Sequence, residues 1–361
     1  DGFFPSSLVT EGWNSEKNNR ASSSSNKSTN ITTTHDIDFI PHFNNTNHNL
    51  MIKGRFHLED NTSKSSSNGV SGLPYGAIST SLADGIINSM GSGASQGRSI
   101  RMSLQAHYSY KSKYSATFTL TRNSNSKFGD SRRWGTFPSI GFRWNVSDEP
   151  WMEKVKWLSM LSIRPGWGYS GNLPGGDYLY FIRYSSGSQY NGNISITPNN
   201  VRLNTIQWEN KETYNLGFDF GLFDDMITGD FNIYHGYVTR LLMNNVKLPA
   251  SSGFSSLGSA NTGEMRNIGW EFNINARRVF KIGKFNMDFN VSFSNNRNEI
   301  TEMDPTVLRQ LNSDFNRNNG SYLPRIQVNN AFGSIYGFRY KGVYQYSKYS
   351  EVEVPGVSGP N

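Results

Sequence analysis

Hydrophobic and polar residues alternate with a period of two along most of this chain. Between Ile100 and Leu120, even positions carry apolar or aromatic side chains and odd positions carry polar ones, with a single break at Ser112. Successive side chains of an extended strand point to opposite faces of a sheet. The pattern therefore predicts a hairpin of two strands that turns near Ser112 and has one apolar and one polar face.

The same alternation recurs often enough to predict about eleven strands. It spans residues 100–110, 114–120, 139–146, 214–222, 268–276 and 285–293, and in weaker form residues 31–39, 50–58, 161–169, 231–237 and 335–346. Two polar segments, residues 11–34 and 61–97, are rich in small and polar residues. That composition predicts loops, the first of which leads into a strand.

Soluble β-sandwiches also alternate, but the strand lengths and connections favour a transmembrane β-barrel. Strands of about 9 to 13 residues exceed the usual 5 or 6 and match a tilted crossing of the hydrocarbon layer. The short connections span residues 110–114, 223–227 and 277–284, and the long ones span residues 122–138, 170–211, 242–266 and 298–332. Short turns on one side and long loops on the other are typical of outer-membrane barrels. A secreted soluble β protein is the alternative.

Aromatic residues support the membrane interpretation. If residues 110–114 form a turn, then Tyr108, Tyr110, Tyr114 and Trp144 all lie at the same end of their strands. Amphipathic rings concentrate at the level of the lipid headgroups, so this end is expected to carry an aromatic girdle. The alternative is that aromatic residues occur here only because they form strands well.

Composition excludes several other classes of protein. Of the 361 residues, 35% are hydrophobic and 14% aromatic, and the mean hydropathy is −0.59. Disordered chains are equally polar but poor in aromatic residues, so we expect a folded chain. The absence of cysteine excludes a disulfide scaffold and a thiolate zinc site. No apolar run is long enough for a transmembrane helix.

The positive charge does not indicate a nucleic-acid partner. The net charge is +7, but the basic residues are scattered, and only Arg132-Arg133 and Arg277-Arg278 form adjacent pairs of arginines. No sequence motif of a DNA- or RNA-binding protein accompanies them. We therefore predict no nucleic-acid binding.

No constellation of residues predicts catalysis or metal binding. His35, Asp36, Asp38 and His42 are close in sequence. On a strand, however, His35 lies on the face opposite the two aspartates, so these three side chains do not converge. Adjacent carboxylates elsewhere point apart for the same reason. We predict that the chain is not an enzyme and holds neither a metal nor a cofactor.

A series of short motifs runs in order through residues 100–346. Its positions are Arg133, Trp134, Phe137, Pro138, Gly168, Gly171, Asn172, Trp208, Glu209, Thr213, Asn215, Gly217, Asp219, Leu248, Pro249, Gly269 and Glu271. Each motif is weak by itself. Their order and spacing together resemble the SusC/RagA family of TonB-linked outer-membrane transporters.

This resemblance implies an all-β fold, a transmembrane antiparallel β-barrel of about 22 strands with long extracellular loops and short periplasmic turns. Residues 1–361 are then part of one such barrel domain, an internal-to-C-terminal portion with about 11 of its strands. The plug domain and the closing strands are expected outside this chain. The polar strand faces are expected to line the lumen, with Arg101, Arg143, Arg164, Asp219 and Glu271 as candidates.

The resemblance also implies a function and partners. It implies active import of oligosaccharides or peptides, energised by TonB through the plug and assisted by a SusD-like surface lipoprotein. The implied location is the outer membrane of a Gram-negative bacterium of the Bacteroidetes type, in contact with lipid and lipopolysaccharide. A passive porin or an adhesive surface barrel is the alternative.

Overall fold

One antiparallel sheet of eleven strands forms most of the structure. The structure is a computed structural model that describes residues 2–3, 20–73, 82–282, 285–312, 323–337, 339–340 and 342. Its strands are β1 (Gly2–Phe3), β2 (Ala21–Phe39), β3 (His48–Ser71), β4 (Ile86–Tyr110), β5 (Tyr114–Asn125), β6 (Trp134–Asn145), β7 (Leu158–Asn172), β8 (Tyr184–Tyr190), β9 (Asn193–Pro198), β10 (Glu209–Leu222), β11 (Ile227–Thr239), β12 (Leu242–Lys247), β13 (Ser256–Asn261), β14 (Gly263–Ile282), β15 (Phe285–Met303), β16 (Leu323–Arg325) and β17 (Ser334–Tyr336). The order in the large sheet is β1-β2-β3-β4-β5-β6-β7-β10-β11-β14-β15.

Among the described residues, three hairpins and one short α-helix lie outside this sheet. The hairpins are β8–β9, β12–β13 and β16–β17, and the helix α1 spans Pro305–Leu311. No helix in the described ranges has both the length and the apolar character needed to cross a membrane.

The strand register separates an apolar face from a polar face. Phe218 of β10 pairs with Ile163 of β7 and with Phe231 of β11, so apolar side chains stay together across strands. Many of these side chains are exposed, such as Phe142 at 49% and Phe293 at 55%. A soluble sheet buries such a band, whereas a membrane barrel turns it toward lipid. The predicted all-β antiparallel architecture is confirmed.

The connections form a shorter and a longer set on the two sides, as predicted, with one exception: residues 146–157 on the shorter side form a longer connection than residues 126–133 on the other. Those on one side span residues 40–47, 111–113, 146–157 and 223–226, and those on the other span residues 72–85, 126–133, 173–208 and 240–262. We call these the short-turn side and the long-loop side. In the tightest described connection of the short-turn side, Lys111 and Ser112 both adopt positive φ, at 51° and 56°.

Two segments predicted as loops are largely strands instead. β2 begins at Ala21, β3 continues to Ser71, and β4 begins at Ile86; residues 11–19 and 74–81 lie outside the described residues. In residues 21–30, 61–71 and 86–97, which we call the polar ribbon, polar and small residues occupy both faces except at Val70, Ile86, Ile87 and Met90. Backbone pairing runs through them without an apolar face, so alternation is lost.

The predicted strand at residues 335–346 is wrong. Among the described residues of this range, only Ile335 and Tyr336 belong to a strand, β17, which pairs with β16 away from the large sheet. Gly333 and Gly342 adopt positive φ, which breaks the extended run. The eleventh strand of the sheet is β1, which pairs with Ala21 and Ser22 of β2. Residues 338, 341 and 343–346 lie outside the described residues.

The pairing of β6 with β7 is interrupted in its middle. Residues 139–141 pair with 166–168 and residues 144–145 pair with 162–163, but Phe142 and Arg143 pair with no residue of β7. Pro165 lies opposite this gap and has no N–H to donate. On the apolar face a groove of about 360 Å³ opens here, lined in part by Phe142, Ile163 and Pro165.

Candidate functional site

A network of charged and amide side chains crosses the polar face of the sheet. At its centre is Asp219 of β10, whose carboxylate accepts hydrogen bonds from Arg143 of β6 and from Arg164 of β7. The Arg164 Nη2 to Asp219 Oδ1 distance is 2.5 Å. Arg164 also donates to Asn232 Oδ1 of β11 at 3.4 Å. One carboxylate therefore joins two guanidinium groups from two different strands.

The network continues to β14. The Asn232 amide donates to Asp230 at 2.7 Å, and the Asn273 amide donates to the same carboxylate at 3.1 and 3.2 Å. These side chains form the polar ladder: Arg143, Arg164, Asp219, Asn232, Asp230 and Asn273. It links five neighbouring strands; Asp219 pairs with both arginines, and Asp230 is held by the two asparagine amides.

A glycine makes room for this network. Gly217 lies opposite Arg164 and Asn232 in the sheet. A Cβ at this position would be 2.7 Å from Asn232 Oδ1 and 3.0 Å from Arg164 Nη2. Because Gly217, a motif position, has no side chain, the Arg164 side chain can pass over the backbone of β10 there.

We expect Gly217→Ala to lower the free energy of unfolding by about 1 kcal/mol, because the methyl group displaces Arg164 from Asp219. Gly141→Ala is the matched control, since Gly141 also lies on the polar face but nothing lies within 4 Å of its added Cβ. Denaturant titration of both variants in detergent micelles measures the difference. Equal stability of the two variants would contradict this role of Gly217.

Only part of the predicted lumen-lining set meets in one place. Arg143, Arg164 and Asp219 share the polar ladder. Glu271 is on the same face and pairs with Asn232 in the sheet, whereas Arg101 lies apart, opposite His57 and Asn123. Within the described ranges, the side chains of Arg101 and Glu271 form neither a hydrogen bond nor an ion pair. Their lining role stays a prediction.

Sequence reasoning missed half of the ladder. Asp230, Asn232 and Asn273 occupy polar positions of β11 and β14. Their parity in the alternating pattern was a usable signal for the face on which they lie. The register that places them beside Arg164 depends on cross-strand pairing, which parity does not provide.

A second charged group lies on β2 and β3. Arg55 forms two hydrogen bonds to Asp36, at 2.6 and 2.8 Å, and Lys53 lies 3.7 Å from Asp36 and 3.6 Å from Asp38. His35 is on the opposite face, with its ring 6.3 Å from that of Phe56, as the period of two requires. No group of three potential metal ligands occurs in the described part of the chain.

Several motif positions converge at the long-loop end of the sheet around a small aromatic core. Phe137 and Trp208 are both 6% exposed and their rings are 5.5 Å apart. The Phe128 ring is tilted against Trp208, with ring centres 4.9 Å apart. We call the buried set the loop-anchor core: Phe128, Phe137, Leu179, Ile206 and Trp208. It joins the wall to residues from both ends of the long connection 173–208.

Small residues and backbone acceptors shape this core. A Cβ on Gly171 would overlap the Phe137 ring and lie 3.1 Å from Trp208. The indole N–H of Trp208 donates to the backbone oxygen of Arg133 at 3.2 Å. Glycine at position 171 is therefore required by the close approach of the two rings.

A buried carboxylate fastens the next loop beside the loop-anchor core. Glu209 is 7% exposed and accepts hydrogen bonds from the Asn172 amide at 2.6 Å and from the backbone N–H of Leu242 at 2.8 Å. It therefore ties the start of the β12–β13 hairpin to β7 and β10.

The remaining motif positions are spread over both faces. On the apolar face, the Arg122 guanidinium lies 4.9 Å from the ring centre of Trp134, and Pro138 pairs with Leu120. Thr213, Asn215 and Gly217 occupy successive positions on the polar face of β10.

Gly168 and Gly269 lie where neighbouring side chains leave no space for a Cβ atom. A Cβ on Gly168 would be 2.6 Å from that of Ser139, and one on Gly269 would overlap the Tyr234 hydroxyl. Leu248 and Pro249 lie in the turn between β12 and β13. The roles of the motif positions in binding stay predictions.

The aromatic girdle forms at the short-turn end, as predicted. The Tyr110 and Tyr114 rings stack at 6.4 Å, and those of Tyr114 and Trp144 at 6.5 Å. Glu149, in the connection 146–157, accepts hydrogen bonds from Tyr114 Oη at 2.5 Å and from Trp144 Nε1 at 3.2 Å, with Lys113 Nζ 3.7 Å away. The hydrogen bond from Tyr114, then that from Trp144, and the charge of Lys113 lower the pKa of Glu149.

A lowered pKa means that the Glu149 carboxylate stabilises the folded state above its ordinary pKa. This contribution is lost as the pH falls through the folded-state pKa. We expect the unfolding temperature of the wild type to fall more steeply from about pH 7 to about pH 3 than that of Glu149→Gln. Parallel pH profiles of the two proteins would contradict the assignment.

The sequence of this chain matches those of known outer-membrane receptors. The profile of a family described as "TonB dependent receptor-like, beta-barrel" matches residues 3–357. The TonB-dependent receptor P39 of Formosa agariphila is 31% identical over 250 residues, which cover 69% of this chain and 23% of that protein. The TonB-dependent receptor SusC of Bacteroides thetaiotaomicron is 30% identical over 244 residues, which cover 64% of this chain and 24% of that protein. This chain thus spans about a quarter of the length of these relatives.

Solved structures show the same fold. The RagAB peptide transporter aligns with a TM-score of 0.72 at 19% identity, over 87% of this chain and 34% of the transporter chain. The outer membrane transporter YddB from Escherichia coli aligns with a TM-score of 0.52 at 10% identity, over 79% of this chain and 36% of that chain.

Proposed function

Because this chain belongs to the TonB-dependent receptor-like β-barrel family, whose members are outer-membrane proteins, we propose that it builds part of the wall of an active importer. The resemblance seen in the motifs is confirmed by the family match. The whole of residues 1–361 is then part of one barrel domain, and the apolar face contacts lipid and lipopolysaccharide.

The polar ladder is the observation that carries this proposal. It crosses five strands on the face opposite the exposed apolar band, so ionised groups line one side of a sheet whose other side fits lipid. Ionised groups at membrane depth require water or partners, which a lumen provides. The ladder therefore supports a water-filled lumen on the polar side of the wall.

Relatives suggest the solute and the partners. RagAB is described as a peptide transporter, and we propose a peptide or an oligosaccharide as the solute here. A SusD-like surface lipoprotein and TonB, acting through a plug region outside this chain, are the proposed partners. The polar strand faces, with Arg101, Arg143, Arg164, Asp219 and Glu271, are proposed to face the lumen or the plug.

Uptake by cells tests the proposal. Cells that produce the complete receptor containing this chain are given a fluorescent malto-oligosaccharide or a fluorescent peptide mixture, with and without TonB. We expect accumulation of at least one probe that disappears without TonB. Equal flux of the probe through proteoliposomes that lack TonB would instead establish a passive porin and overturn active import.

A further inference from the structure

One edge of β4 is unpaired at the long-loop end. β3 pairs with β4 from Ile86 to Tyr110, whereas β5 pairs with it only from Ser99 onward. In residues 86–97 of β4, therefore, one edge is paired and no strand among the described residues covers the other. Such an edge presents backbone donors and acceptors to any extended chain that approaches it.

Two contacts show which residues direct their backbone groups to this edge. The N–H of Gln96 donates to Tyr178 Oη at 2.6 Å, and the Tyr178 hydroxyl donates to the Gln96 oxygen at 2.9 Å. The N–H of Arg98 donates to Ser126 Oγ, and the N–H of Ser126 donates to the Arg98 oxygen, both at 2.9 Å. In this part of β4, the backbone N–H and C=O groups of even-numbered residues thus point to the unpaired edge.

Backbone direction alternates along an antiparallel strand. The N–H and C=O groups of Ala94, Ser92 and Met90 therefore point to the same edge as those of Gln96. None of these groups has a hydrogen-bond partner within the described ranges. The Tyr178 hydroxyl acts at Gln96 as both acceptor and donor, which are the two roles of one residue in an antiparallel partner strand.

A groove of about 640 Å³ lies beside this edge at Ala94 and Ser95, and Tyr178 is among the residues that line it. Ala94 and Ser95 form its β4 side, and the opposite wall consists of residues 175–179 and of Asn244, Asn245 and Gly258 of the β12–β13 hairpin. These side chains are mostly small and uncharged, so they restrict the side chains of an occupant little.

One cation lines the same groove. Arg183 contributes to its wall, and within the described part of the chain its guanidinium has no acidic partner. The nearby carboxylate of Asp177 is 3.8 Å from Lys127 Nζ. Arg183 is thus available to a carboxylate at the end of a bound chain.

We propose that this edge binds a free extended peptide, which adds to β4 as a further strand along residues 90–94. The inference rests on the proposed import function and selects peptides as the solute class. Backbone donors and acceptors at the two-residue repeat of a strand match another polypeptide backbone and bind it with little dependence on sequence.

Peptide binding to the complete receptor in detergent tests the proposal, with fluorescence anisotropy as the readout. The probe is a fluorescent seven-residue peptide of alternating Thr and Val. We expect N-methylation of every amide to weaken binding at least about 10-fold, because each lost amide bond is worth roughly a factor of ten. Methylation of every second amide leaves the N–H groups along one side of the peptide free to bond to β4. We expect it to change the affinity less than about 3-fold.

A variant of β4 tests the protein side of the same contact. Ser92→Pro removes an N–H that faces the free edge and does not bond to β3, so we expect about 10-fold weaker binding of the Thr–Val peptide. Ser92→Ala keeps the N–H and is the matched control, with unchanged binding expected.

Two outcomes overturn the inference. One is the absence of peptide binding, and the other is equal affinity for the unmodified and fully methylated peptides on the wild-type receptor. The second comparison needs no mutation, so a folding defect of Ser92→Pro does not affect it. TonB-dependent uptake of the malto-oligosaccharide or of the peptide mixture by cells is measured separately, so failure of import is distinguished from failure of peptide binding at this edge.

Discussion

Trp208→Ala is expected to lower the free energy of unfolding by about 3–5 kcal/mol. It is also expected to expose the connections 173–208 and 240–262 to protease. The indole is 6% exposed and packs between Phe128 and Phe137, with ring centres at 4.9 and 5.5 Å. Its N–H holds the backbone oxygen of Arg133. Alanine leaves a cavity where the wall meets the connection 173–208, and the neighbouring glycines offer no side chain to fill it.

Limited proteolysis of the complete receptor measures this effect locally. Cleavage within residues 173–208 and 240–262 is expected to be faster in Trp208→Ala, with no change on the short-turn side. Trp151→Ala is the matched control, because Trp151 is 59% exposed in the connection 146–157. If both variants were cleaved alike, the loop-anchor core would not be what holds these loops.

Asp219→Ala is expected to cost about 2–3 kcal/mol and to alter uptake of the solute. The carboxylate is 15% exposed and joins Arg143 and Arg164, which are 44% and 34% exposed. Removing it leaves two guanidinium groups close together without a counter-charge. Their partial exposure to water reduces the penalty below that of a fully buried pair.

An exposed ion pair provides the control for this prediction. Asp130 lies 2.5 Å from Arg133 but is 92% exposed, so Asp130→Ala is expected to change stability by less than about 1 kcal/mol. Denaturant titration of the two aspartate variants, of Arg164→Met and of each aspartate variant combined with Arg164→Met gives the coupling energy of each aspartate to Arg164. A coupling no larger for Asp219 than for Asp130 would contradict the central place of Asp219.

Alternation located ten of the eleven strands because each has one face in lipid. The polar ribbon escaped the same reasoning, since a strand with water on both faces has no reason to alternate. At residues 335–346 the pattern was misleading, because alternation records which face a side chain takes and says nothing of where glycine turns the chain away.

The candidate site was predictable in part for a related reason. Parity placed Arg143, Arg164 and Asp219 on the polar face, and neighbouring strands brought them together. Arg101 has the same parity but lies on β4, which is separated from β6 by β5. The loop-anchor core depends on contacts between positions as far apart as Arg133 and Trp208, which arise from how a long loop folds back and leave no periodic signal.

The gap between β6 and β7 gives the wall a mechanical character. In a closed barrel, each pair of neighbouring strands bears the circumferential tension through its row of backbone bonds. At Phe142 and Arg143 that row is missing, and the Arg143 side chain reaches across to Ser162 and Asp219 at the same level. Where the backbone ladder between β6 and β7 is interrupted, the side-chain hydrogen bonds of Arg143 therefore join β6 to β7 and β10.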